Sequence, residues 1–200
     1  MKLKLARLIF VSVVSFFISS NVMAQQPAAK KTPVKKTVAK KPAQSAPGVT
    51  KTAIVTGVSN DSKEFPNGIK LNVKGFMVQD AYLVFEDETK VPADNKIDLS
   101  QRISLRIILT TGFKEVNGKV FPGGSEKITL GTGDKILESE DLFTAFDSTG
   151  VSPIDAKYIT MKAVINEIKD KSIPVNIDVK VWDKKSAANE ITGSYTIYIK

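Results

Sequence analysis

Residues 174–183 read PVNIDVKVWD and residues 190–200 read EITGSYTIYIK, and this pair decides the fold. In the first stretch Val175, Ile177, Val179 and Val181 alternate with Asn176, Asp178 and Lys180. In the second, Ile191, Tyr195, Ile197 and Ile199 share one parity, with Ser194 and Thr196 on the other. A strand sends successive side chains to opposite faces, so each stretch predicts a strand with one apolar and one polar face. As a hairpin with the odd-numbered residues inward, they pair Val181–Gly193, Val179–Tyr195, Ile177–Ile197 and Val175–Ile199, with Lys184–Glu190 closing the loop. Trp182 then points outward opposite Thr192, and Tyr198 outward opposite Asn176.

The same period recurs upstream. Thr52–Ser59, Gly68–Gly75, Phe76–Glu86, Ile103–Thr111, Glu126–Leu130 and Tyr158–Ile168 are strand candidates. Asn117-Gly118 is a hairpin turn signal between short flanks. Pro122-Gly123-Gly124 and Gly131-Thr132-Gly133-Asp134 read as glycine turns between strands. One helical signal stands out, SEDLFTAF at 139–146. Ser139 is its cap, Glu140 and Asp141 suit the positive end, and Leu142, Phe143 and Phe146 share a face that plugs one end of the domain. About eight short strands with this alternation predict an all-β fold over residues 51–200. The expected architecture is an antiparallel β-sandwich, immunoglobulin-like in the broad sense, with one short helix.

Charge divides the chain at the same boundary. The net charge is +8, but residues 1–24 carry +3, residues 25–50 carry +6, and residues 51–200 carry −1. Residues 1–24 place a basic stretch before the apolar run LIFVSVVSFFISS, followed by Val22 and Ala24 at small-residue positions. This is the pattern of a cleavable secretory signal peptide with cleavage after Ala24, and the run is too short to span a bilayer. The expected location is outside the cytoplasm, periplasmic or extracellular, with no transmembrane segment in the mature chain.

Residues 25–50 repeat lysine pairs every five residues: Lys30-Lys31, Lys35-Lys36 and Lys40-Lys41. Four prolines and three valines leave too little apolar surface to offset the entropy of ordering, so the segment reads as a disordered Lys/Pro/Ala-rich tether. The six lysines are candidate contacts with an anionic envelope surface or polymer; the other reading is a solvated spacer. Nucleic acid is not expected, because no aromatic residue interrupts the lysines to stack on bases.

The chain has no Cys and no His, which excludes disulfides, thiol catalysis, imidazole bases and Cys/His metal sites. No nucleophile motif or phosphate-binding loop is present, so no catalytic, cofactor-binding or metal residue is assigned and no cofactor is expected. The acidic runs Glu86-Asp87-Glu88 and Glu138 to Asp147 read as solvated loops.

Two loops carry a partial likeness. FDSTGVSP at 146–153 resembles the first calcium loop of the membrane-binding sandwich domains of synaptotagmins, matching at Asp147, Gly150, Ser152 and Pro153 but lacking the second Asp. VWDKKSAANEITG at 181–193 resembles that family's third loop at Asp183 and Gly193, but Lys185 replaces the second Asp. Calcium binding is therefore not carried over. Trp182 and Tyr198 remain as candidate binding-face aromatics.

These observations predict a secreted or envelope-associated, non-enzymatic binding or structural module on a basic tether, meeting a protein or glycan through its sandwich. The alternative is a carbohydrate-binding or carbohydrate-active domain that uses Trp182 and nearby acids.

Overall fold

The structure, a computed structural model, describes residues 60–200. The expected signal peptide, the expected tether with its six paired lysines, and the strand expected at Thr52–Ser59 lie outside the described residues.

Ten strands follow in order: β1 (Asn60–Phe65), β2 (Ile69–Lys74), β3 (Met77–Phe85), β4 (Lys96–Ile97), β5 (Arg102–Thr111), β6 (Pro122–Leu130), β7 (Lys135–Ser139), β8 (Tyr158–Val164), β9 (Val175–Asp183) and β10 (Ser186–Ile199). The larger sheet runs β1-β2-β10-β9-β6-β7, and the smaller runs β3-β5-β8; all these neighbours are antiparallel. Short β4 joins the C-terminal end of β10 in parallel, a departure from the purely antiparallel expectation. Leu71, Val179 and Ile197 from the larger sheet share one buried cluster with Leu83, Leu105 and Met161 from the smaller. Two open sheets around a common core make the fold sandwich-like and all-β, as the alternation predicts.

The expected parity holds on β2, β5, β8, β9 and β10, whereas on β3 a bulge between Val78 and Asp80 switches it, so that Val78 is buried from one parity, Ala81 and Leu83 from the other, and Val84 is buried beside Leu83. Ile69, Leu71 and Val73, and Val175, Ile177, Val179 and Val181, are all buried, while Lys70, Asn72 and Asp178 are not. Removing each such aliphatic side chain from water contributes roughly 1.5–3 kcal/mol, and that fixes which face turns inward.

The β9–β10 register differs from expectation by two residues. Val181 pairs with Ile191, Val179 with Gly193, Ile177 with Tyr195 and Val175 with Ile197. Trp182 accordingly faces Glu190, and Asn176 faces Thr196. The cause is local. Asp183 pairs with Ser186 across a tight Lys184-Lys185 turn, and residues 187–189 then bulge from the ladder before Glu190. The Asp183 carboxylate accepts the Lys185 N–H at 2.8 Å and the Lys114 N–H at 2.6 Å, which closes that turn. Asn189, within the bulge, donates to the Gly112 carbonyl and lies where a Cβ on Gly75 would sit. A slip of two preserves parity, so the same side chains still face the core.

Two further expectations are corrected. Pro122-Gly123-Gly124 is the start of β6, not a turn, whereas Gly131 to Asp134 does turn β6 into β7. The eight-residue helix is absent: Ser139 ends β7, and only Thr144–Phe146 forms a 3-10 turn. No side chain caps that turn; just before it, Asp141 Oδ1 accepts the Phe143 N–H at 2.9 Å and the Gly124 N–H at 3.2 Å. The apolar face survives this change, with Phe143 2% exposed and Leu142 and Phe146 packed on the core. Finally, β1 (NDSKEF) and β7 (KILES) lack clean alternation, because each is an edge strand with little side-chain burial to specify it.

Candidate functional site

The outward face of the larger sheet is a ladder of polar side chains. Its central cross-strand row is Ser62, Asn72, Thr192, Lys180 and Ser125, taken from β1, β2, β10, β9 and β6 in turn. The next row is Glu64, Lys70, Ser194, Asp178, Lys127 and Glu138, reaching β7. On the other side lie Lys74, Glu190, Trp182 and Gly123. With strands about 4.8 Å apart and same-face neighbours about 6.8 Å apart along each strand, the central row spans about 19 Å.

The central row and, apart from Glu64, the row beside it line a groove of about 770 Å³. A second hollow of about 390 Å³ shares Ser125, Glu140 and Lys180 with it and reaches Trp182 and Glu190. The two form one surface feature with an aromatic end.

Trp182 owes its position to Gly123. A Cβ built there would fall 2.1 Å from the indole Cε2 and 2.3 Å from Nε1, so only glycine lets the ring lie against β6. Lys180 Nζ sits 5.9 Å from the ring centroid and is held 2.7 Å from Glu190 Oε2. Glu138 pairs with Lys135 at 2.8 Å; that contact, with the more distant Lys127, keeps its carboxyl below the ordinary range. Lys70, Asp178 and Glu140 make no ion pair among the described residues. Among the described residues, the hydroxyls of Ser62, Thr192 and Ser194 and the amide of Asn72 likewise make no hydrogen bond. The groove therefore presents donors, acceptors and both signs of charge, with Trp182 its one aromatic side chain.

Tyr198 does not belong to it. It lies eight residues beyond Glu190 on β10, which places it about 26 Å from Trp182 along the strand. It is 43% exposed beside Lys96 of β4. Of the two candidate aromatics, the fold brings only Trp182 to the groove.

Beneath the groove, on the inner face of β6, is a carboxyl group that the strand reading overlooked. Glu126 is 2% exposed, and among the described residues its Oε1 has no hydrogen-bond partner; the nearby hydroxyl of buried Tyr195 has none there either. Loss of hydration raises the Glu126 carboxyl from 4.5 to about 7. Desolvation, and then the charge of Glu126, push the Tyr195 hydroxyl well above its ordinary value. The available signal was parity, since Glu126 shares a face with Ile128.

The two loops with a calcium-loop likeness do meet, around a side-chain ammonium. Lys184 Nζ lies 2.6 Å from Asp141 Oδ2 and also pairs with Asp147, at only 18% side-chain exposure. Burial alone would raise the Asp141 carboxyl, but Lys184 and the N–H groups of Phe143 and Gly124 outweigh it and lower the net value. The lysine is raised in turn: its two carboxylate partners outweigh desolvation. Asp183 is occupied by backbone N–H groups. Millimolar calcium is expected to leave the thermal midpoint unchanged, since a ligand of the native state must raise it. A reproducible rise that Asp147→Ala abolishes would contradict this assignment.

The other acidic run is also engaged locally. Asp87 accepts from the Thr89 hydroxyl and amide, Glu86 pairs with Arg102 at 3.0 Å, and Glu88 pairs with Arg106. No helix among the described residues is long and apolar enough to cross a membrane. No model of a known protein family matches the chain, and no curated protein matches it.

Proposed function

We propose that the chain is an exported, non-enzymatic binding or structural module. In this reading a β-sandwich, immunoglobulin-like in the broad sense, is carried outside the cytoplasm on a basic tether. It meets its ligand through the groove on the outer face of the larger sheet. The observation that supports this is the groove itself: side chains from six strands converge on one surface, many with hydrogen-bonding capacity unspent. The absence of His and Cys and of a nucleophile motif favours binding over catalysis. The tether adds attraction to anionic envelope material without selecting a ligand, because that attraction depends on the charge of Lys30, Lys31, Lys35, Lys36, Lys40 and Lys41 and not on their order.

Affinity capture from envelope extract tests the whole reading. Residues 25–200 and residues 51–200 are both expected to retain a common ligand, and Lys70→Ala/Asp178→Ala is expected to lose it. Capture that is indifferent to the groove would refute the binding face.

The tether is tested separately on vesicles rich in anionic lipid. Each lysine near such a surface contributes about 1 kcal/mol, screened within about 8 Å at physiological salt. Residues 25–200 should co-sediment at low salt and residues 51–200 should not. Changing the six lysines to glutamine should abolish sedimentation, while scrambling residues 25–50 should preserve it. Equal sedimentation of both chains would reduce the tether to a spacer.

A further inference from the structure

Resting on the groove as the binding face, we infer that its occupant is an extended glycan chain of no net charge, stacked at one end on Trp182. A polyanion requires a basic groove and a polycation an acidic one. Here Lys70, Lys127 and Lys180 stand against Asp178, Glu138, Glu140 and Glu190, with Glu126 and Asp183 buried, so neither sign prevails by more than one unburied charge. A protein partner requires an apolar centre with large anchors surrounded by a polar rim. This groove has the opposite arrangement: its centre is the row Ser62, Asn72, Thr192, Lys180 and Ser125, and its only aromatic stands at one end.

A sugar chain fits that pattern. Each ring carries several hydroxyls that donate and accept at once, and a groove of hydroxyl, amide, ammonium and carboxylate groups answers both roles. Hydrogen bonds to charged partners are the stronger ones, and Lys70 and Asp178 are free to make them. The faces of sugar rings carry C–H groups that pack on aromatic surfaces, and the indole of Trp182 lies flattened over Gly123 at the groove end. The central row, about 19 Å long, accommodates several linked rings, so affinity arises from many modest contacts.

Trp182 is the only tryptophan in the chain, so its fluorescence reports directly on this site. Residues 25–200 are titrated with chitohexaose and cellohexaose as neutral probes and with hexagalacturonate as an acidic probe of equal length. Fluorescence and calorimetry are read together. A saturable change is expected with at least one neutral hexasaccharide, and at least tenfold weaker binding of hexagalacturonate. Asn72→Ala/Thr192→Ala should weaken the neutral probe at least tenfold with an unchanged unfolding midpoint. Trp182→Ala should weaken it comparably by calorimetry. Tighter binding of hexagalacturonate, no saturation by either neutral probe, or neutral binding untouched by Asn72→Ala/Thr192→Ala would each overturn the inference. If the neutral probes fail while Lys70→Ala/Asp178→Ala still abolishes capture from envelope extract, the glycan is wrong and the binding face stands. If both fail, the binding face falls with it.

Discussion

Between pH 4.5 and about 7 the folded domain is expected to lose roughly 3 kcal/mol of stability, and Glu126→Gln is expected to remove that loss. Glu126 sits on the inner face of β6, in a cross-strand row with Val179 and Ser139, and among the described residues its Oε1 has no partner. In the folded chain the carboxyl keeps its proton up to about pH 7, whereas in the unfolded chain it ionises near 4.5. The native state therefore binds more protons across that window, and stability falls as pH rises, by about 1.4 kcal/mol per unit. The carboxyl of Asp141 is lowered instead, so its contribution is lost only as pH falls below the ordinary value of 3.8. Urea unfolding at pH 5 and pH 8 separates the two effects. Wild type should be markedly weaker at pH 8 than at pH 5. Glu126→Gln should match wild type at pH 5 and exceed it by roughly 3 kcal/mol at pH 8, or about 6–12 °C in midpoint for a domain of this size. Identical pH profiles for the two proteins would mean that the carboxyl is hydrated.

Phe143→Ala should cost about 3–5 kcal/mol, as for a buried aromatic whose cavity cannot collapse. The ring is 2% exposed and sits over Gly124, where a Cβ would fall 2.4 Å from its Cε2. The surrounding segment is pinned to β6 by the Leu142 N–H on the Gly124 carbonyl at 2.6 Å and by Asp141 on the Gly124 N–H. Gly124→Val should also destabilise, because the new side chain occupies the place of the ring. Combined with Phe143→Ala, the same valine partly fills the vacated space, so the double variant should be more stable than the sum of the single losses implies. Strict additivity in chemical denaturation would show that the two residues do not share that space.

What the sequence made legible was parity. Alternation records which side of a strand is buried, so the inward faces of β2, β5, β8, β9 and β10 could be assigned from residues such as Leu71, Leu105 and Val179. Register was less accessible, since it depends on partners far along the chain. Asp183 closes its turn with help from Lys114, 69 residues away, and Asn189 sets the bulge against Gly112, 77 residues away. Edge strands were obscured because β1 keeps Asp61, Lys63 and Glu64 exposed or half-exposed on a strand paired along one side.

The groove has no motif, because each of its rows draws on four to six separate strands and becomes contiguous only in the sheet. Trp182 could be noticed as a lone aromatic of outward parity. That it lies flat could not, because Gly123 and Gly124 look like a turn and are instead the clearings beneath Trp182 and Phe143. Glu126 was legible from its shared parity with Ile128, but its charge pointed the other way.

In the proposed function, the ligand binds on the outer face of the larger sheet. Backbone amide and indole N–H shifts of residues 25–200, followed as soluble envelope polysaccharide is added, test this. The predicted result is a continuous band of shifts across Lys70, Asn72, Thr192, Ser194, Lys180 and Lys127, together with the single indole N–H of Trp182. Shifts confined to residues 25–50, or to the outward row Tyr82, Arg106 and Thr160 of the smaller sheet, would contradict it.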